Sequence, residues 1–417
     1  MASNSISRRE FAYAAGGLAA AFATPEILKA AAPGPRRLAA QELSPQALAA
    51  ITDAEAAAFA SPGILKPAAP RRFAAPERGK EIRINFNENP YGPSPRALEA
   101  ISGAEATAMR YPDGLHEQVT EAIARLHGVA RENVVLGCGS TEILRVADMA
   151  FLGPGRNVVV AEPTFEAVLE YARVTRAEAV KIPLTADFRH DLPRMAAACT
   201  SKTGLVYLCN PNNPTGTVVT REELGKFFAR VPATTVVLVD EAYYDFVEDA
   251  RCASAFEWMG KMPNLVVART FSKVYGLAGM RLGYGVGSRQ AIEAMRAHEL
   301  QQNGNAAVLP AALASLADTG NRAEMRKRLN DTRRWLSREL EKDGRRTMPS
   351  ETNFLMVYLG GDAGPAIAAF RARGIEVGRR FPSLSEWLRV SMGTQPEMEA
   401  FLAALREIVP VSAARAA

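Results

Sequence analysis

Arg269-Thr270-Phe271-Ser272-Lys273-Val274-Tyr275-Gly276-Leu277-Ala278-Gly279-Met280-Arg281 sets one lysine between preceding hydroxyls and following small glycines, with a cation eight residues on. A lysine amine so placed can bond an aldehyde beside a bound phosphate. Taken alone, a Ser-Lys pair describes a solvated surface lysine; the surrounding chain argues otherwise. Upstream, Val236-Val237-Leu238-Val239 is an unbroken β-branched and aliphatic run, the pattern of a buried strand. Asp240-Glu241-Ala242-Tyr243-Tyr244 follows directly, so a carboxylate is held at the rim of a sheet. Earlier still, Leu205-Val206-Tyr207-Leu208-Cys209 reads as another strand and ends in Asn210-Pro211-Asn212-Asn213-Pro214-Thr215-Gly216, a rigid turn that fixes an amide side chain in space.

Val134-Val135-Leu136-Gly137-Cys138-Gly139-Ser140-Thr141-Glu142 supplies an anion site of its own. The glycines allow close backbone approach, and a helix starting near Ser140 offers free N–H groups and a positive dipole end. With Glu142 in the sixth place it is not a complete G-x-G-x-x-G, and no Gly-Lys-Ser/Thr follows, so dinucleotide and P-loop readings lose support. Thr270, Ser272 and Arg281 complete a cradle in which Arg281 makes a forked contact to phosphate. An aldehyde, a phosphate and a carboxylate-paired ring together describe pyridoxal phosphate. Asp240 then pairs with its protonated ring nitrogen, so that the ring accepts electrons released at a substrate α-carbon. Asn213 and Tyr243 bond its phenolic oxygen, and Phe165, in Glu162-Pro163-Thr164-Phe165, stacks on its ring.

These residues, in this order at strand ends, resemble the fold type I pyridoxal-phosphate enzymes, and most closely the histidinol-phosphate aminotransferase branch of the class I/II aminotransferases. The resemblance covers residues 81 to 410. Besides the turn, the Asp240 segment and the Lys273 segment, it rests on Asn85-Phe86-Asn87-Glu88-Asn89-Pro90-Tyr91-Gly92-Pro93-Ser94-Pro95, Arg110-Tyr111-Pro112-Asp113 and Leu388-Arg389-Val390-Ser391-Met392-Gly393-Thr394. It implies that Lys273 carries the cofactor covalently and that Arg389 binds the substrate α-carboxylate, with Asn89 and Tyr91 also binding substrate. It further implies that Tyr111 reaches the cofactor phosphate of a neighbouring subunit in a homodimer. The implied reaction moves an amino group from an L-amino acid, aromatic or histidinol-phosphate-like, to a 2-oxo acid. Decarboxylation or lyase chemistry on the same fold is the alternative. A regulatory binding module would need an appended helix-turn-helix or a lost lysine, and the sequence offers neither. Two stretches depart from the family's wording: Phe165 stands where a Tyr is common, and Val377-Gly378-Arg379-Arg380-Phe381 differs near the side-chain pocket.

The 417 residues are 48% hydrophobic, ample for a large core. Net charge is +5, but residues 1 to 80 hold ten Lys and Arg against six Asp and Glu, which leaves the body nearly neutral. That distribution gives no nucleic-acid footprint. Cys138, Cys199, Cys209 and Cys252 lack paired spacing, and His116, His127, His190 and His298 lack metal-ligand spacing, so neither a disulfide framework nor a metal is expected. Ser7-Arg8-Arg9-Glu10-Phe11 precedes an Ala- and Gly-rich apolar run to Ala23 that is too short to span a bilayer. This looks like a twin-arginine export signal over residues 1–32, cut after Ala23, and implies a periplasmic location; a cytoplasmic one is the alternative. No further membrane segment is read.

The sequence predicts an Ala/Pro-rich linker over 33–80 with a helix near Ser44 to Phe59, an N-terminal segment over 81–114, a large cofactor-binding domain over 115–310 and a small α/β domain over 311–417. Alternating apolar and amphipathic runs predict a mainly parallel, seven-stranded sheet covered by helices. Its strands are expected at Val134 to Leu136, Asn157 to Ala161, Ala179 to Pro183, Leu205 to Cys209, Val236 to Val239, Leu265 to Ala268 and Leu282 to Val286. In the small domain, a charged helix near Arg322 to Lys342 is expected with strands around Asn353 to Leu359, Ile375 to Val377 and Trp387 to Met392.

Overall fold

The computed structural model describes residues 81–410. The arginine pair, its apolar run and the linker lie outside them. Eleven strands occur among the described residues: β1 (Ile82–Ile84), β2 (Val134–Gly137), β3 (Asn157–Glu162), β4 (Glu178–Pro183), β5 (Thr203–Cys209), β6 (Val236–Asp240), β7 (Leu265–Thr270), β8 (Gly283–Gly287), β9 (Phe354–Tyr358), β10 (Ile375–Val377) and β11 (Trp387–Ser391). The helices are α1 (Pro95–Gly103), α2 (Asp113–His127), α3 (Ser140–Phe151), α4 (Ala167–Val174), α5 (Leu192–Ala197), α6 (Arg221–Phe228), α7 (Arg289–Arg296), α8 (Val308–Ala317), α9 (Thr319–Lys342), α10 (Ala363–Arg371) and α11 (Gln395–Ile408).

Seven strands form the central sheet in the order β2-β8-β7-β6-β5-β3-β4. All pairings are parallel except those of β8, which runs antiparallel to both β2 and β7. The strand runs are continuously apolar because helices cover both faces. Alternate residues divide between them: Leu205, Tyr207 and Cys209 pack on one side with Leu238 and Val266, and Val206 and Leu208 on the other with Val237 and Val267. The capping box at Thr220 and Glu223 opens α6 as the sequence predicts.

Two small sheets stand apart from this one. β1 pairs parallel with β10, which ties the N-terminal segment to the C-terminal part of the chain, and β11 pairs antiparallel with β9. The boundary expected at 310/311 falls inside α8, a helix that packs against α1 and α2. A chain cut there would split one apolar helix whose Val308, Leu309, Ala311 and Ala312 are all buried.

Candidate active site

The loops after β2, β5, β6 and β7 open into one cavity of about 740 Å³, closed on its other side by the segment after β1 and by residues around β10 and β11. Ser140, Thr141, Phe165, Asn213, Asp240, Tyr243, Thr270, Ser272, Lys273, Arg281 and Arg389 all line it. Asn89, Tyr91 and Tyr111 do not. Asn89 bonds Val274 O (2.9 Å) and receives the Tyr91 N–H (3.0 Å), while Arg328 from α9 lies over the Tyr91 ring. Both residues are thus engaged within the scaffold. Tyr111 is 77% exposed.

One end of the cavity is built for an anion. Gly139, at φ +78°, is the N-cap of α3; a Cβ there would lie 2.2 Å from Arg281 Nη2, so only glycine lets the guanidinium approach the helix start. Arg281 Nη1 donates to Ser272 Oγ (3.3 Å) and Ala278 O (2.9 Å), and Thr270 Oγ1 donates to Ser272 Oγ (3.0 Å). Hydroxyls, a forked cation and the N-terminus of a twelve-residue helix therefore converge.

Asp240 ends β6, buried at 3% exposure. Tyr207 Oη donates to its Oδ2 (2.9 Å) and the Ala242 N–H to its Oδ1 (3.1 Å). Burial pushes the carboxyl up to about 6 against the pull of these two donors and of Lys273, so it remains ionised at neutral pH. Tyr207 was invisible as a site residue because it sits in an apolar run. The register that pairs Cys209 with Asp240 places its hydroxyl beside the carboxylate.

Lys273 lies just past β7, its Nζ 3.1 Å from Phe86 O and 5.5 Å from the centre of the Tyr243 ring. Burial first, then the Arg389 charge, pulls its amine down to about 8. A fraction is thus neutral and nucleophilic near neutrality. Apoprotein is accordingly expected to capture pyridoxal phosphate at a rate that rises through pH of about 8 and then levels off. A stopped-flow series in which the rate keeps climbing toward the ordinary lysine value of about 10.4 would show the amine to be unperturbed.

Arg389, on β11, is 8% exposed and flanked by the Phe354 and Phe381 rings at 5.5 and 5.2 Å. It donates to Asn213 Oδ1 (2.6 Å) and Asn85 O (2.9 Å), and its buried Nε has no partner. A Cβ at Gly378 would meet Arg389 O at 2.6 Å, which explains glycine in the divergent stretch. The next residue, Arg379, covers Phe381 and pairs with Glu166 at 2.5 Å across the cavity mouth. No sequence signal links Glu166 to Arg379, 213 residues away.

Residues 80–405 match the family described as aminotransferase class I and II. The chain is 38% identical to the histidinol-phosphate aminotransferase of Moorella thermoacetica over 79% of its own length and 85% of that protein's. It is equally identical to the aromatic amino acid aminotransferase of Rhodococcus jostii, over 77% and 88%. The solved histidinol-phosphate aminotransferase of Sinorhizobium meliloti in complex with pyridoxal-5'-phosphate superposes with a TM-score of 0.74 at 28% identity, covering 84% of this chain and 99% of that one. The chain belongs to the class I and II aminotransferases: it is a fold type I transaminase, and its cofactor is pyridoxal phosphate. The cavity suits that group, with an anion cradle at one end, a buried ionised carboxylate, and a half-buried lysine of lowered basicity. Among the described residues no cluster could hold a metal ion, and no helix is long and apolar enough to cross a membrane.

Proposed function

We propose that the enzyme transaminates aromatic L-amino acids against a 2-oxo acid, with Arg389 receiving the α-carboxylate. The observation carrying this reading is the buried, aromatic-flanked guanidinium of Arg389, whose partnerless Nε shares a cavity with Lys273. A planar ring suits the outer wall of Phe165, Tyr171, Ile367 and Phe381. The cations at the mouth, Arg379 and Arg371, are already paired with Glu166 and Glu376, which disfavours a phosphorylated side chain.

Pyridoxal phosphate, when bound, supplies an aldehyde that links to amines and a protonated ring that takes up electrons from the α-carbon. Ser140, Thr141, Thr270, Ser272 and Arg281 would hold its phosphate, Phe165 would lie against its ring, and Asn213 and Tyr243 would bond its phenolic oxygen. Asp240, kept ionised by Tyr207 and the Ala242 N–H, would hold the proton on the ring nitrogen. Lys273 would anchor the aldehyde and, once a substrate amine had taken its place there, would carry the proton of the substrate α-carbon as base and acid. Tyr111 and Met109, 77% and 75% exposed, support a homodimer in which Tyr111 reaches the partner's cofactor phosphate.

A donor screen on the loaded enzyme tests the substrate. Phenylalanine and tyrosine should yield their 2-oxo acids with a kcat/KM at least ~10-fold above that of histidinol phosphate, the scale on which one pocket contact discriminates. A preference for histidinol phosphate would refute this reading, and release of carbon dioxide in place of a 2-oxo acid would move the chemistry to decarboxylation.

The Arg8-Arg9 leader supports export to the periplasm as a folded holoenzyme. Fractionation and N-terminal sequencing of the mature protein should find it periplasmic and shortened, and Arg8→Lys with Arg9→Lys should retain it, active, in the cytoplasm. Intact parent protein confined to the cytoplasm would end the export reading.

A further inference from the structure

We infer that Asn87 is a positioning residue that aims the Tyr243 hydroxyl proton into the cofactor cavity. The inference rests on the reading that Tyr243 bonds the phenolic oxygen of the cofactor. Asn87 is 1% exposed and holds φ +56°, a left-handed conformation that only a few non-glycine types tolerate. A residue kept there has to be fixed by its surroundings, and such strain collects at functional sites.

The fixing bonds are specific. Ser391 Oγ donates to Asn87 Oδ1 (2.9 Å) and accepts the Asn87 N–H (2.8 Å), and Asn353 Nδ2 donates to Asn87 O (3.0 Å). The amide lies with Oδ1 on the Ser391 hydroxyl and its NH₂ group toward Tyr243 Oη at 3.0 Å. Asn213 is oriented the same way from the far side. Arg389 donates to its Oδ1, so its Nδ2 faces Tyr243 Oη at 3.5 Å.

A phenolic hydroxyl has two acceptor sites and one proton. Both acceptor sites of Tyr243 face amide N–H groups, so neither amide can receive its proton. Burial also holds that phenol above its ordinary pKa, so the proton stays on the oxygen. The direction left to it is the cavity that Tyr243 lines with Lys273 and Asp240. Asn213 alone, at the longer distance, would leave one lone pair unclaimed and the hydroxyl free to rotate. Asn87 removes that freedom. It also joins Tyr243 to Ser391, two residues past Arg389, so the orientation of the phenol is tied to the strand that carries the substrate-binding cation.

A purely structural Asn87 would only pin its segment to β11, and an analogue comparison separates the two roles. Full-length apoprotein is titrated with pyridoxal phosphate and with 3-deoxypyridoxal phosphate, which lacks the phenolic oxygen. Asn87→Gly keeps the left-handed backbone without strain and deletes the amide. It should weaken pyridoxal phosphate binding by ~3- to 10-fold, the worth of one oriented hydrogen bond, and leave the deoxy analogue unchanged. Asn87→Asp keeps the shape but offers the phenol an acceptor, which draws its proton away from the cavity; its loss should exceed that of Asn87→Gly and again spare the analogue. This variant serves if Asn87→Gly fails to fold. Equal losses for both ligands would overturn the inference. Tyr243→Phe identifies which premise failed. If it too treats the ligands alike, the reading of Tyr243 falls and takes the inference with it. If it discriminates between them and the Asn87 variants do not, the inference alone falls.

Discussion

Lys273→Ala is expected to bind pyridoxal phosphate and yet transaminate ~10⁴-fold more slowly, the upper end of the range for losing a positioned proton-transfer group. The cradle does not depend on the lysine: Arg281, Ser272 and Thr270 bond one another, Gly139 shapes the helix start, and none of them contacts Nζ. Lysine is nevertheless the group the reaction lacks a substitute for. Among the other titratable groups lining the cavity, Asp240 is held by Tyr207 and Ala242, and burial keeps the Tyr243 phenol and the Cys209 thiol protonated. None of these three offers a neutral base of the right strength. The variant should also lose fixation of the cofactor by borohydride, and small primary amines added to the buffer should restore part of the rate. A single-turnover rate within ~10-fold of the parent would transfer both roles to another residue.

The large sheet was legible because parallel strands covered on both faces are written as continuous apolar runs, and each predicted strand lies within two residues of an observed one. The side chains that line the cavity were legible for the same reason, since polar residues that interrupt such runs at their carboxyl ends face the loops where ligands bind. What the sequence hid are contacts made by distance alone. Tyr207 reads as core until register sets its hydroxyl against Asp240. Asn87 and Ser391 are 304 residues apart, and their bond follows from β1 pairing with β10 while β10 lies beside β11. Asn89 and Tyr91 share a motif with Asn87 but face Val274 and α9, in a turn over residues 89–92 that the Gly92 N–H closes on Asn89 O at 3.2 Å. A motif therefore located the segment without telling which of its side chains enters the cavity.

Arg389→Ala should weaken productive binding of amino acids by ~2 to 5 kcal/mol, the range for truncating one partner of a buried charge pair. At about 1.4 kcal/mol per tenfold, that is a loss of roughly 30- to 4,000-fold in kcat/KM. The size follows from burial: the guanidinium stands between two aromatic rings, away from bulk water, where a forked contact to a carboxylate is poorly screened. Part of any loss will come through Asn213, which Arg389 holds at 2.6 Å and which faces the Tyr243 hydroxyl. Plain amines separate the two contributions, because they need Asn213 and Tyr243 but present no carboxylate. Their kcat/KM should fall far less than that of amino acids with the same side chain. Equal losses for amino acids and amines in Arg389→Ala would assign this arginine to holding Asn213, and carboxylate recognition would have to be sought elsewhere in the cavity.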